Sequence, residues 1–255
     1  MPDPSVEAIA ALNNAEWCAA VWRSHGLPVG QAHGLWFCEC ETPRYYPNVV
    51  TVDPNFDAAR QSAFIDDLGR THPGLDMSVK DSFTKLDLRD AGMTPLFVGR
   101  WMLRASRTDP ARPLARNWCR ITDEQNLTAW ETAWSGGDAS SQRIFTVGLL
   151  SDPRVWVMGG FDPDGAIRAG AIANEAAGVL GLTNMFGASG EFLQAVSKLW
   201  PGISTVCYAR GDGHRSAAKA GFQVLGPMRV WVREEAAQGM PGRTLKAKLM
   251  PTQDR

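Results

Sequence analysis

Two stretches of this 255-residue chain match without a gap at an offset of 129, and that self-similarity limits the available folds more than any other feature. Ala91-Gly92-Met93 faces Ala220-Gly221-Phe222, Leu96 faces Leu225, Arg100 faces Arg229, and Leu103-Arg104 faces Val232-Arg233. Upstream, His72-Pro73-Gly74 lies beside Trp200-Pro201-Gly202 at an offset of 128, so one single-residue gap joins the two alignments. Each copy reads as helix, Pro-Gly break, short strand, polar helix ending in Ala-Gly, and apolar strand ending in Arg. A period near half the chain is too long for a solenoid unit. Duplication into two related lobes is the reading; chance similarity of two ordinary strand-helix-strand stretches is the alternative.

Length agrees, since about 100–150 residues per domain allows two small cores here. An apolar share of 44% with 21% charged residues is that of a soluble globular chain. A net charge of −1 supplies no global field for nucleic acid or an anionic membrane, and neither is expected as a partner. The N-terminal segment lacks a basic region followed by an apolar run, and no stretch approaches the roughly 20 apolar residues that span a bilayer. Cys18, Cys38, Cys40, Cys119 and Cys207 are odd in number and scattered, which reads as reduced thiols and a cytoplasmic location. Cys38-x-Cys40 sits in strand-like sequence that points its thiols to opposite faces, and His33 and His72 stand alone, so no metal is expected.

Periodicity predicts helices over 5–23, 56–69 (capped from Asp53-Pro54-Asn55), 84–91, a segment capped by Thr122 with Leu127, Trp130 and Trp134 on one face, 191–199 and 214–220. Strands are predicted over 35–38, 49–52, 77–83, 94–105, 118–121, 154–161, 166–174, 178–185, 204–209 and 223–233, with Asp162-Pro163-Asp164-Gly165 as a hairpin turn. Residues 106–116 hold two prolines and three arginines with little apolar content, which is linker chemistry. The domain reading is therefore a first lobe over 1–105, a linker over 106–116, a second lobe over 117–235 and a polar tail over 236–255.

The element order of the second lobe, and above all His214–Arg233 (HRSAAKAGFQVLGPMRVWVR), resembles the GNAT superfamily of acyl-CoA-dependent N-acyltransferases. The first lobe is similar to the same fold more faintly, as a degenerate copy would be. The resemblance implies an α/β fold (an α+β mixed sheet) in two lobes, each a mostly antiparallel twisted sheet flanked by helices. It implies acetyl-CoA as co-substrate, a small-molecule amine or peptide amine as acceptor, and a phosphate-binding loop between the lobe's fourth strand and the next helix.

That loop is Met185-Phe186-Gly187-Ala188-Ser189-Gly190. A helix N-terminus offers unpaired N–H groups and partial positive charge to a pyrophosphate, and glycines let the backbone come close. The superfamily's usual basic or Gln residue is missing at the loop's start, and the Glu191 carboxylate would compete for the same positive end. The first lobe has Val52-Asp53-Pro54-Asn55-Phe56-Asp57 there, with no glycine, a proline lacking an N–H, and two carboxylates.

Direct attack of an amine on a thioester needs a base for the amine and an acid for the departing thiolate. Glu175, expected near the loop, is the candidate base, and it also reads as an exposed turn carboxylate. Asn184 is placed to orient substrate or water. The superfamily often has a tyrosine four residues before the Gly-Phe glycine, where this chain has Ala217, and Tyr208 is the nearest substitute acid. Asp212 reads either as a helix cap or as a contact to the cofactor's pantetheine arm. The function expected is N-acetyl transfer; a non-catalytic acyl-CoA or small-ligand binder and a purely structural pair of lobes are the competing readings. In the last of these, the ten tryptophans feed cores and a homodimer interface.

Overall fold

The computed structural model describes residues 5–106, 114–137, 143–187 and 189–233. Residues 107–113 of the expected linker and all of the expected tail lie outside that set. In chain order the elements are α1 (Val6–Ser24), β1 (Gly30–Ala32), β2 (Leu35–Phe37), β3 (Val49–Thr51), α2 (Ala58–Thr71), β4 (Ser78–Asp81) and β5 (Met93–Arg104). There follow β6 (Asn117–Arg120), α3 (Glu124–Trp134), a 3₁₀ turn over Val147–Ser151, β7 (Val155–Phe161), β8 (Ile167–Ala176) and β9 (Val179–Phe186). The series closes with α4 (Ser189–Leu199), β10 (Thr205–Ala209), α5 (Gly213–Lys219) and β11 (Gln223–Arg233).

The chain divides into two compact units, and the division falls within strands. Described residues up to Arg100 together with those from Gly226 onward form the first unit, and Trp101–Leu225 form the second. In the first, the strand order is β1-β2-β3-β4-β11 and then Met93–Arg100 of β5, with β3–β4 parallel and β1–β2, β2–β3 and β4–β11 antiparallel. The chain's last strand thus completes the first unit's sheet, with Arg229 opposite Asp81 and Trp231 opposite Val79. Leu35, Val49, Ile65, Met77, Leu88, Met93 and Trp231 meet in its core.

No helix forms over 84–91. Thr84 sits at φ +53°, outside the helical region, and the Asp81 carboxylate accepts from Lys85 N and Leu86 N, each at 3.1 Å, fixing the turn that leads into an extended run. Leu86 and Leu88 drop into the core instead. Two caps also shift. Asp57 rather than Asp53 caps α2, accepting from Ala59 N at 2.8 Å, while Asp123 rather than Thr122 caps α3. In both cases the carboxylate that precedes the first helical residue reaches the free N–H groups.

The repeat's glycines close the same turn. Gly92 and Gly221 have φ of +70° and +88°, and the next residue's N–H returns to the carbonyl five residues back (Met93 to Leu88 at 3.1 Å, Phe222 to Ala217 at 3.0 Å). Glycine adopts this left-handed backbone without a Cβ penalty. A helix precedes the turn only at Gly221.

The second unit orders its strands as the end of β5, then β10-β9-β8-β7-β6, with β9–β10 parallel and β8–β9, β7–β8 and β6–β7 antiparallel. Alternation along β8 assigns its two faces. Ala171 and Ala173 join the core cluster with Phe192 and Val196 of α4. Gly170, on the other face, would place a Cβ 2.3 Å from the Trp130 ring nitrogen of α3, which itself donates to Met158 O at 2.9 Å. Helices α3 and α4 therefore cover opposite faces, and a glycine makes room for the indole. No described helix is long and apolar enough to cross a membrane.

Candidate active site

The site begins where two parallel strands part. β9 and β10 pair at Leu180–Thr205 and Gly181–Val206, after which β9 runs on to Phe186 and β10 to Ala209 without further register. A bulge sharpens the departure: from Ile172–Thr183 to Gly170–Phe186, β8 advances two residues while β9 advances three. Asn184 stands at that extra residue with φ +52°, is 7% exposed, and accepts from the Thr183 hydroxyl at 2.9 Å. Asn is among the few residues that tolerate the left-handed region, and a bulge turns the strand.

Between the diverging strands lies a cavity of about 540 Å³. Met185, Phe186 and Gly187 line it from β9, and Cys207, Tyr208 and Ala209 from β10. The end of α3 contributes Trp134, Ser135 and Gly136, while α5 contributes Gly213, Ser216, Ala217 and Ala220. Since α3 lies on one face of the sheet and Leu193 of α4 on the other, the opening passes between the strands. Among the described lining residues no side chain carries a charge, and the hydroxyls are those of Ser135, Tyr208 and Ser216. Burial pushes the Cys207 thiol up to about 12, so it stays protonated near neutral pH and is no nucleophile.

Of the residues singled out by sequence, Met185, Phe186, Gly187 and Tyr208 are brought together at this cavity, with Asn184 directly before them. Ala188 lies outside the described residues. Ser189 opens α4, and Gly190 follows in its first turn, where an added Cβ would meet nothing within 4 Å, so side chains are tolerated there. Gly187 is different. At φ +68° its Cβ would lie 2.4 Å from Arg168 O and 2.8 Å from the Ala169 Cα, so packing against β8 demands glycine whatever the loop binds. Glu191 is drawn away from the loop, its carboxylate 3.2 Å from Arg116 Nη1 and accepting from the Trp118 ring N–H at 3.4 Å.

Two expected placements need correction. Glu175 is exposed and pairs with Leu180 at the hairpin end of β9, roughly 20 Å of strand from Phe186 at about 3.3 Å per residue, so it is not near the loop. Asp212 precedes α5, yet its side chain makes no cap and pairs with Arg215 at the surface. Sequence reasoning gives no sign of Cys207, Ala209 or the α3 end at the site. The small face of α5 is legible as Gly, Ser, Ala and Ala at positions 213, 216, 217 and 220, a spacing of three, four and seven.

No protein-family profile and no curated protein matches this sequence. Solved structures do resemble it. A GCN5-related N-acetyltransferase from Kribbella flavida superposes with a TM-score of 0.59 at 13% identity, over 88% of this chain and 96% of that one. One from Sphaerobacter thermophilus gives 0.51 at 14% identity, over 89% and 93%. At such identities the likeness speaks for the fold. This mixed sheet with helices on its faces is the fold of the GNAT acetyltransferases.

Proposed function

We propose that the second unit binds an acyl-CoA and transfers its acyl group to an amine of a small molecule or a peptide, the first unit being a degenerate copy of the same fold. The observation that carries this reading is the parting of β9 and β10 over a cavity that is lined by Gly187 and by Leu193 of α4 and that has no charged side chain among its described lining residues. Pyrophosphate suits the helix start at Ser189-Gly190. The pantetheine arm, with two amides, suits the strand edges beyond Gly181 and Val206, where the register between β9 and β10 ends. The thioester then lies beside the bulge at Asn184. The amine nitrogen attacks the thioester carbonyl carbon, the C–N bond forms, the C–S bond breaks and the thiolate leaves, taking a proton from the acid, while the proton shed by the nitrogen passes to water and restores that acid. Tyr208 lines the cavity, packed edge-on against Trp101 with ring centroids 5.9 Å apart, and is the acid we assign to the thiolate. Asn184 positions substrate.

A non-catalytic acyl-CoA binder is the second reading. It is favoured by the lack of a carboxylate or imidazole among the described lining residues.

The test is calorimetry and thermal melting with coenzyme A and acetyl-CoA on the intact chain, beside Gly190→Asp. Ligand at about 100 times its Kd should stabilise the protein by about 2.7 kcal/mol. The new carboxylate favours the helix N-terminus by about 0.3–1 kcal/mol yet repels phosphate. Melting should therefore hold or rise while affinity drops about tenfold or more. Absence of any response to coenzyme A overturns both readings, and thiol release with amine acceptors separates enzyme from binder.

A further inference from the structure

We propose that the acyl group carried at this site is apolar and longer than acetyl, its chain housed where the cavity meets the core of the second unit. The proposal rests on the acyl-CoA reading above. On that side the cavity wall is Leu193, Cys207, Ala209 and Phe222, each less than 10% exposed and all members of one hydrophobic cluster. Ala217 and Ala220 of α5 pack against the same cluster.

The room there is made by small side chains rather than by the path of the backbone. Along its cavity face α5 presents only Gly213, Ser216, Ala217 and Ala220. Gly213 is not required by crowding, since a Cβ there would meet only the Ala209 Cβ, at an ordinary 3.7 Å. Larger residues on this face would fill the space. An acetyl group brings a single methyl, which would leave the apolar lining without partner atoms.

The occupant is the acyl chain rather than the acceptor. An acceptor must enter from solvent and its product must leave, whereas the acyl chain is threaded inward by the arm to which it is bonded. A wall of core residues suits a group delivered in that way. The protonated Cys207 thiol adds no charge to this end, and no charged side chain is among its described lining residues. Transfer proceeds as above: the amine displaces the thiolate at the carbonyl, and the chain beyond that carbon takes no part.

The experiment is isothermal titration of the intact chain with coenzyme A and its acetyl, butanoyl, hexanoyl and octanoyl thioesters. Affinity should rise about fourfold per added methylene until the space is filled. Ala217→Phe, checked by melting, should remove the gain of hexanoyl over acetyl. Equal affinity for acetyl and longer thioesters overturns the proposal and leaves the acyl-CoA reading standing. Failure of coenzyme A and every thioester to bind overturns that reading, and the proposal with it. The wild-type series decides the matter even where Ala217→Phe does not fold.

Discussion

Each unit contains a strand, a helix and a parallel strand, and the two treat the space beyond the parallel pairing in opposite ways. In the first, β3 and β4 pair at Val49–Val79 and Val50–Lys80, and β3 ends one residue later. The gap is then stitched by a buried side chain, with Ser82 N donating to Thr51 Oγ1 at 2.8 Å. The following helix is served by its own sequence, Asp57 taking the N–H groups of Ala59 and Arg60. In the second, β9 and β10 also pair at two positions, but β9 continues past a bulge and a cavity opens. The carboxylate in the first turn of α4 is drawn off to Arg116 and Trp118. The same supersecondary unit therefore yields a closed seam where a side chain bridges the strands just beyond their pairing, and an open slot where one strand bulges away from the other.

Three substitutions probe that contrast. The largest effect belongs to Gly187→Ala, where the left-handed backbone alone costs about 1–3 kcal/mol and the clash with β8 adds to it. Melting should fall with or without coenzyme A; an unchanged melting temperature would mean that the close approach to Arg168 O is wrong. Next is Thr51→Val, nearly isosteric, which strands the buried Ser82 N–H at a cost of about 1–3 kcal/mol. Denaturant titration should show the loss, and coenzyme A binding should stay as it is, because the slot belongs to the other unit. Smallest is Asp57→Ala, which removes a cap worth about 1 kcal/mol. Should Asp57→Ala create a second coenzyme A site in calorimetry, its carboxylate, and not the missing glycines, is what closes the first unit to phosphate.

Much of the candidate site's position is legible in residue order. The strand that runs into Gly187 borders the cavity as its order in the chain suggests, and Tyr208 on the neighbouring strand falls in the same cavity. Glu175 lies elsewhere because adjacency in sequence to a strand says nothing about which of its ends a residue occupies; the hairpin at Ala177-Gly178 sends it to the far one. The helix expected over 84–91 fails for a related reason, since Leu86 and Leu88, two residues apart, are both drawn into a core built by residues outside the segment.

Residue order by itself determined most of the element sequence, the matched turns at Gly92 and Gly221, and the loop chemistry that sets one unit apart from the other, because these depend on backbone conformation and on neighbours within a few residues. Only the tertiary structure decided that β11 completes the first unit's sheet, that β9 and β10 separate after two paired positions, and that α3 and α5 line one cavity. Those are contacts between residues remote in the chain, as where Ser78 of β4 meets Val232 of β11. They are chosen by which pairings bury apolar surface and satisfy backbone groups together, and local sequence carries no record of that choice.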